Sequence, residues 1–137
     1  MRLYNIIKNI IKKISDSLTS ANAYTDSKLK TASGTGTKTS AVASVERCTW
    51  VQVGKIVQVT ATFTTAASGV GNTTTFFTGL PAPQMYSRIV ATRAYESSCF
   101  RLSLEENGTL NNAYSAGTLT SQTIEVGFTY IAKDFVS

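Results

Sequence analysis

The chain has 137 residues, of which 42% are apolar and only 15% charged. That is room for one domain of ordinary size plus an appendage, with enough apolar content for a core. The net charge of +5 lies wholly in residues 1–40, because residues 41–137 carry six basic and six acidic groups; a folded body without a basic stripe argues against a nucleic-acid partner.

The opening, MRLYNIIKNIIKKI, predicts an amphipathic helix over residues 1–30. Leu3, Ile7, Ile10 and Ile14 are spaced four, three, four, the rhythm of a coiled-coil seam. Ile6 and Ile11 widen the stripe, while Lys8, Lys12 and Lys13 fall mostly on the other face. The stripe continues through Leu18, Ala21, Thr25 and Leu29. The eleven-residue steps Ile7, Leu18, Leu29 point to local unwinding rather than a strict heptad. Interrupting lysines and asparagines leave no continuous apolar core, so the segment reads neither as a membrane span nor as a secretion signal. A helix with one apolar stripe has to bury it. Isoleucine at both a and d positions favours three or more strands over two. Leu3, Ile7, Ile10, Ile14, Leu18, Ala21 and Leu29 are therefore the candidate trimerisation and anchoring residues. Docking into a groove on a larger particle ranks second. A membrane-active helix and packing of the helix back onto its own domain rank behind these.

Residues 31–44, beginning TASGTGTKT, read as a flexible linker on their glycines and hydroxyl residues. From Val45 the period changes from 3.6 to 2. In KIVQVTATFTT, Val57, Val59, Ala61 and Phe63 alternate with Gln58, Thr60, Thr62 and Thr64, the pattern of a half-buried strand. SGVGN (68–72) is a turn, and residues 73–77 are β-prone. Further strands follow over residues 86–96 and around Phe100, Leu102 and Leu104. Asn107-Gly108 predicts a type I′ hairpin. The last strand, TIEVGFTYIAK, turns Ile124, Val126, Phe128 and Tyr130 inward. The fold class is mainly β: an N-terminal helix, in a trimeric coiled coil, followed by an antiparallel β-sandwich, jelly-roll-like knob over residues 45–137.

The chain contains no histidine, which removes the commonest general base and metal ligand and every His-containing triad. Cys48 and Cys99 are too few for a zinc site or a disulfide scaffold. Glu105 and Glu106 are adjacent carboxylates beside a hairpin turn, an ordinary place for solvated charge. The aromatics Trp50, Tyr86, Tyr95, Tyr114 and Tyr130 read first as packing residues and second as sugar-stacking ones. No cofactor, catalytic role or ligand-binding position is assigned.

Three stretches together resemble bacteriophage fibre and spike proteins: Ala23-Tyr24-Thr25-Asp26-Ser27-Lys28-Leu29, WVQVGKIVQVTATF (50–63) and FTGLPAP (77–83). The resemblance implies a homotrimer of wound N-terminal helices carrying β knobs, and knobs of that family commonly bind host-surface glycans or proteins. Fibre chains are usually longer, with a shaft before the knob. Here the helix begins at Met1, so residues 1–14 are expected to anchor in a capsid or tail protein of the particle. The expectation is a non-enzymatic, structural protein of the virion surface: a short head or tail fibre or spike, attached to the particle and adhering to the host. The alternatives are a stand-alone carbohydrate-binding adhesin and a membrane-active protein.

Overall fold

The computed structural model describes residues 2–28, 30–68, 70–93, 99–114 and 119–136. The chain divides into two units, residues 1–30 and 31–137.

The first unit is one helix, α1, Arg2–Lys28. No glycine or proline interrupts it, and its 27 residues give a rod of about 40 Å at 1.5 Å per residue. It is not apolar enough to cross a membrane.

The second unit is built from β1 (Thr31–Thr35), β2 (Thr37–Lys38), β3 (Val42–Val53), β4 (Ile56–Thr65), β5 (Thr75–Thr78), β6 (Ser87–Arg93), β7 (Cys99–Leu104), β8 (Leu110–Tyr114) and β9 (Thr123–Ile131). All pairings are antiparallel, in the order β1-β3-β4-β9-β6-β7-β8-β5-β2. β1 and β2 are one stretch of chain interrupted at Gly36, whose N–H donates to the Cys48 carbonyl at 2.9 Å. One half of that stretch pairs with β3 and the other with β5, so the sheet nearly closes on itself. Another short seam is opposite, where β6 meets β9 only at Thr92 and Arg93. The result is a single nine-stranded, nearly closed sheet, whose two halves, β1-β3-β4-β9 and β6-β7-β8-β5-β2, meet at the β6–β9 seam and along the β1–β2 stretch. β5 returns beside the β1–β2 stretch, and β9 returns beside β6. These are two Greek keys, the connectivity that jelly rolls also use.

The period-2 strands place their residues as expected. Val57, Val59, Ala61 and Phe63 from β4, Leu102 and Leu104 from β7, and Ile124, Val126 and Tyr130 from β9 are buried. Phe63 makes a T-shaped contact with Phe77 at 4.9 Å and a tilted one with Phe76 at 5.2 Å. Both neighbouring phenylalanines face inward because β5 carries a register shift between Thr75 and Phe77. Gln52 is buried with both donors and its oxygen engaged: Nε2 donates to the carbonyls of Gly54 (3.0 Å) and Asp134 (2.9 Å), and Oε1 accepts from the Val136 N–H (3.1 Å).

Two local expectations are corrected. Residues 31–44 are not a linker: they hold β1, β2 and the start of β3. Their glycines are spatial requirements. A Cβ on Gly34 would meet the Trp50 ring at 2.6 Å, and one on Gly36 would meet Cys48 Sγ at 2.6 Å. The Asn107-Gly108 turn is not type I′, which needs positive φ at both central residues. Among the described residues outside glycine, only Thr73 and Ser121 have positive φ, while Gly108 lies at +80°. The Glu105 carbonyl accepts from Gly108 N–H, and Glu105 N–H donates to the Thr109 carbonyl. This is the three-residue loop that ends in a left-handed glycine and a bulge. Asn107 Oδ1 favours it by accepting from both Thr109 N–H (3.2 Å) and Thr109 Oγ1 (2.9 Å).

Candidate functional site

Two features stand out, one in each unit. On α1 the stripe predicted from the sequence lies open: Leu3 is 70% exposed, Ile7 48% and Ile14 57%, with Ile10 and Leu18 similar and Ala21 also exposed. Leu29 lies outside the described residues. A fully buried aliphatic side chain contributes roughly 1.5–3 kcal/mol, and here five large ones on one face remain in water. Thr19 Oγ1 bonds back to the Ser15 carbonyl at 3.0 Å, inside the helix, so this hydroxyl is spent locally.

On the knob, the β7–β8 hairpin helps to wall an open groove of about 680 Å³, lined by Thr75, Tyr86, Glu105, Glu106, Asn107, Thr109 and Asn111. The hairpin is held down at its tip: Leu80 N–H donates to the Gly108 carbonyl at 3.2 Å. A Cβ at Gly108 would collide with the Leu80 carbonyl at 2.0 Å, so glycine is required there for space as well as for its positive φ. Ser103 Oγ donates to Glu105 Oε1 at 2.8 Å, which orients that carboxylate. Asn111 Oδ1 is buried and has no hydrogen-bond partner among the described residues. Tyr86, 42% exposed, supplies an aromatic ring beside these groups. Carboxylate and amide oxygens accept hydrogen bonds, and amide and hydroxyl groups donate them. Next to an open ring face, this set suits a polyhydroxylated ligand.

The other aromatics weighed from the sequence are placed differently. Trp50 is buried. Tyr130 is buried and its hydroxyl donates to the Pro81 carbonyl at 2.6 Å; burial pushes its phenol pKa well up. Tyr95 and the side chain of Tyr114 lie outside the described residues. Cys48 is a buried free thiol, raised to about 11 by burial, which makes it a poor nucleophile. The side chain of Cys99 is not described. The groove was not legible from the sequence, because Thr75 reaches the 105–111 stretch only when β5 pairs with β8, and Tyr86 only when β6 pairs with β7. Two of its parts stood out in the sequence, Tyr86 as an aromatic that could stack on a sugar and the Glu105-Glu106 pair beside its turn, but nothing along the chain joined them.

No protein-family model matches the chain, and none of the curated proteins matches it. Among solved structures, the chain is similar to the receptor binding protein (gp15) of Listeria phage PSA. The similarity covers 91% of this chain and 79% of that one, with a TM-score of 0.60 and 16% sequence identity. At that identity the likeness is one of fold.

Proposed function

We propose that this chain is a host-attachment structural protein of a bacteriophage: a short homotrimeric fibre or spike, without enzymatic activity. The observation that carries the reading is the open stripe of Leu3, Ile7, Ile10, Ile14 and Leu18 on α1, combined with a fold similar to that of a phage receptor binding protein. The stripe winds three copies together, since isoleucine at both seam positions suits three strands better than two. Its first turns seat in a capsid or tail protein of the particle. The knob faces the host, and the Tyr86–Glu105–Asn111 groove takes a surface glycan.

Static light scattering on the full chain tests the assembly. The expected mass is three times the 14.7 kDa of one chain, and a lone chain at micromolar concentration overturns the fibre. Adhesion is tested separately with a glycan array. Tyr86→Ala and Glu105→Gln are expected to remove the signal while leaving the mass unchanged. A signal untouched by either substitution moves the ligand away from the groove.

A further inference from the structure

The two halves of the knob's sheet present different outer surfaces. On β6 and β7 the outward positions include Arg88 and Arg101, both exposed, as expected of a solvated face. The outward face of β1-β3-β4-β9 is apolar at one end and nearly uncharged along its length. Register sets its rows. Thr31 pairs with Val53, Val53 with Ile56, and Ile56 with Ile131, so these four form one row across the sheet. Val53 is 45% exposed, Ile56 59% and Ile131 55%, and Val51 in the next row is 52% exposed. Hydroxyl, amide and glycine positions follow, then the row Arg47–Thr62–Glu125, which Thr92 continues onto β6, and beyond it the hydroxyl row Ser44–Thr64–Thr123. Arg47 and Glu125 flank a shallow depression over Thr62.

We propose that this face is the knob-to-knob contact of the assembled chain. Copies pack side by side about an axis parallel to the strands, so that Val53 of one copy meets Ile131 of the next and Arg47 meets Glu125. The inference rests on the self-association proposed above and adds which surface is used and in what orientation. A rotation axis along the strands keeps every row at its own level and brings the β3 side of one face against the β9 side of its neighbour. At the first level that joins valine to isoleucine. At the Arg47 level it joins a guanidinium to a carboxylate. An antiparallel two-fold arrangement would lay the Arg47–Glu125 row against the Val51–Gln58–Thr129 row and leave each charge without an opposite one. The pattern is therefore complementary to itself in one orientation only. Arg47 is available for the contact: its present partner, Glu46, is 3.7 Å away on an exposed surface, a pair of little strength.

The test is disulfide trapping in the full chain. Within one chain Val53 and Ile131 are separated by the β4 strand, about 9.6 Å between Cα positions at two strand spacings, which exceeds the roughly 7 Å that a disulfide spans. Any bond in the Val53→Cys/Ile131→Cys variant is therefore between chains. On oxidation the band is expected to shift from one-chain to three-chain mobility on a denaturing, non-reducing gel. The unsubstituted chain, each single variant and Val90→Cys on the other half of the sheet are expected to stay at one-chain mobility. Covalent pairs from Val53→Cys alone, or three-chain product from Val53→Cys/Glu125→Cys in place of the first pair, overturn the proposed orientation. Light scattering on the same double variant before oxidation separates the two readings. A trimer that does not cross-link overturns this face and leaves the fibre standing, whereas a lone chain overturns both.

Discussion

Gly34→Ala gives opposite signs of effect for two views of residues 31–39. In a flexible linker, alanine for glycine removes freedom from the unfolded chain and stabilises by about 0.4–1 kcal/mol. In the β1 strand the same methyl group has nowhere to go. It would lie 2.6 Å from Trp50 Cζ2, 2.8 Å from Cε2 and 3.0 Å from Nε1, against about 3.5–4.0 Å for relaxed contacts. Neither side yields easily, because Gly34 pairs directly with Trp50 across the β1–β3 ladder and the indole is buried. Overpacking of this kind costs about 1–3 kcal/mol. The expected outcome is a lower urea midpoint with an unchanged slope, and a fall in melting temperature of about 4–8 °C per kcal/mol for a domain of this size. The fluorescence of Trp50, the one tryptophan of the chain, reports the transition. Gly71→Ala is the control: a Cβ there meets nothing within 4 Å, and its stability should be within about 0.5 kcal/mol of the parent. A Gly34→Ala protein as stable as the parent, or more so, would refute the steric account of this strand.

Other expectations follow from single contacts. Gln52→Leu strands the Gly54 and Asp134 carbonyls and the Val136 N–H and is expected to cost about 2–4 kcal/mol by chemical denaturation, with earlier hydrogen exchange at Val136. Burial raises the Cys48 thiol from 9.0 to about 11, so the unfolded chain loses this proton first as pH rises. The contribution is whole below pH 9 and is lost toward pH 11, by at most about 1.4 kcal/mol per pH unit. Stability measured against pH should fall less steeply there for Cys48→Ala than for the parent. Ile10→Asn/Ile14→Asn is expected to reduce the solution mass to one chain while the near-ultraviolet dichroism of the knob is kept; a trimer from this variant would remove the helix from the assembly.

Legibility followed chemistry. Where one face of an element meets the core and the other meets water, periodicity reports it directly. The alternation of KIVQVTATFTT became β4, TIEVGFTYIAK became β9, and the four-three spacing from Leu3 became one face of α1. The failures share a cause: the local pattern answered to a partner far along the chain. The glycines of TASGTGTKT resemble a linker because glycine suits both a loose chain and a strand crushed against an indole, and only the Gly34–Trp50 register separates the two. Asn107-Gly108 was correctly a hairpin. Its turn type was set by Asn107 bonding to Thr109 and by the clearance that Gly108 needs beneath Leu80. The groove beside it draws Thr75, Tyr86 and Asn111 from three separate segments, which no window along the sequence joins.

In the proposed trimer the helix and the sheet face have unequal shares, and the area of the face says why. Four strands about 4.8 Å apart and five rows about 6.8 Å apart span roughly 400 Å² per chain. A stable interface takes about 800 Å² per partner, so the face alone is too small to hold copies together from dilute solution. In the proposed trimer the helices join the copies, and the face contact then forms within one molecule, at an effective concentration set by the tether rather than by the solution. Residues 31–137 contain the whole of the nearly closed sheet. Expressed without the helix, they are therefore expected to fold, to melt cooperatively and to run as single copies at micromolar concentration. Val53→Cys/Ile131→Cys trapping should vanish in that fragment and return when an unrelated trimeric coiled coil replaces residues 1–30. Trapping that persists in the fragment at micromolar concentration would mean that the knob, and not α1, drives association, and the order of events argued here would reverse.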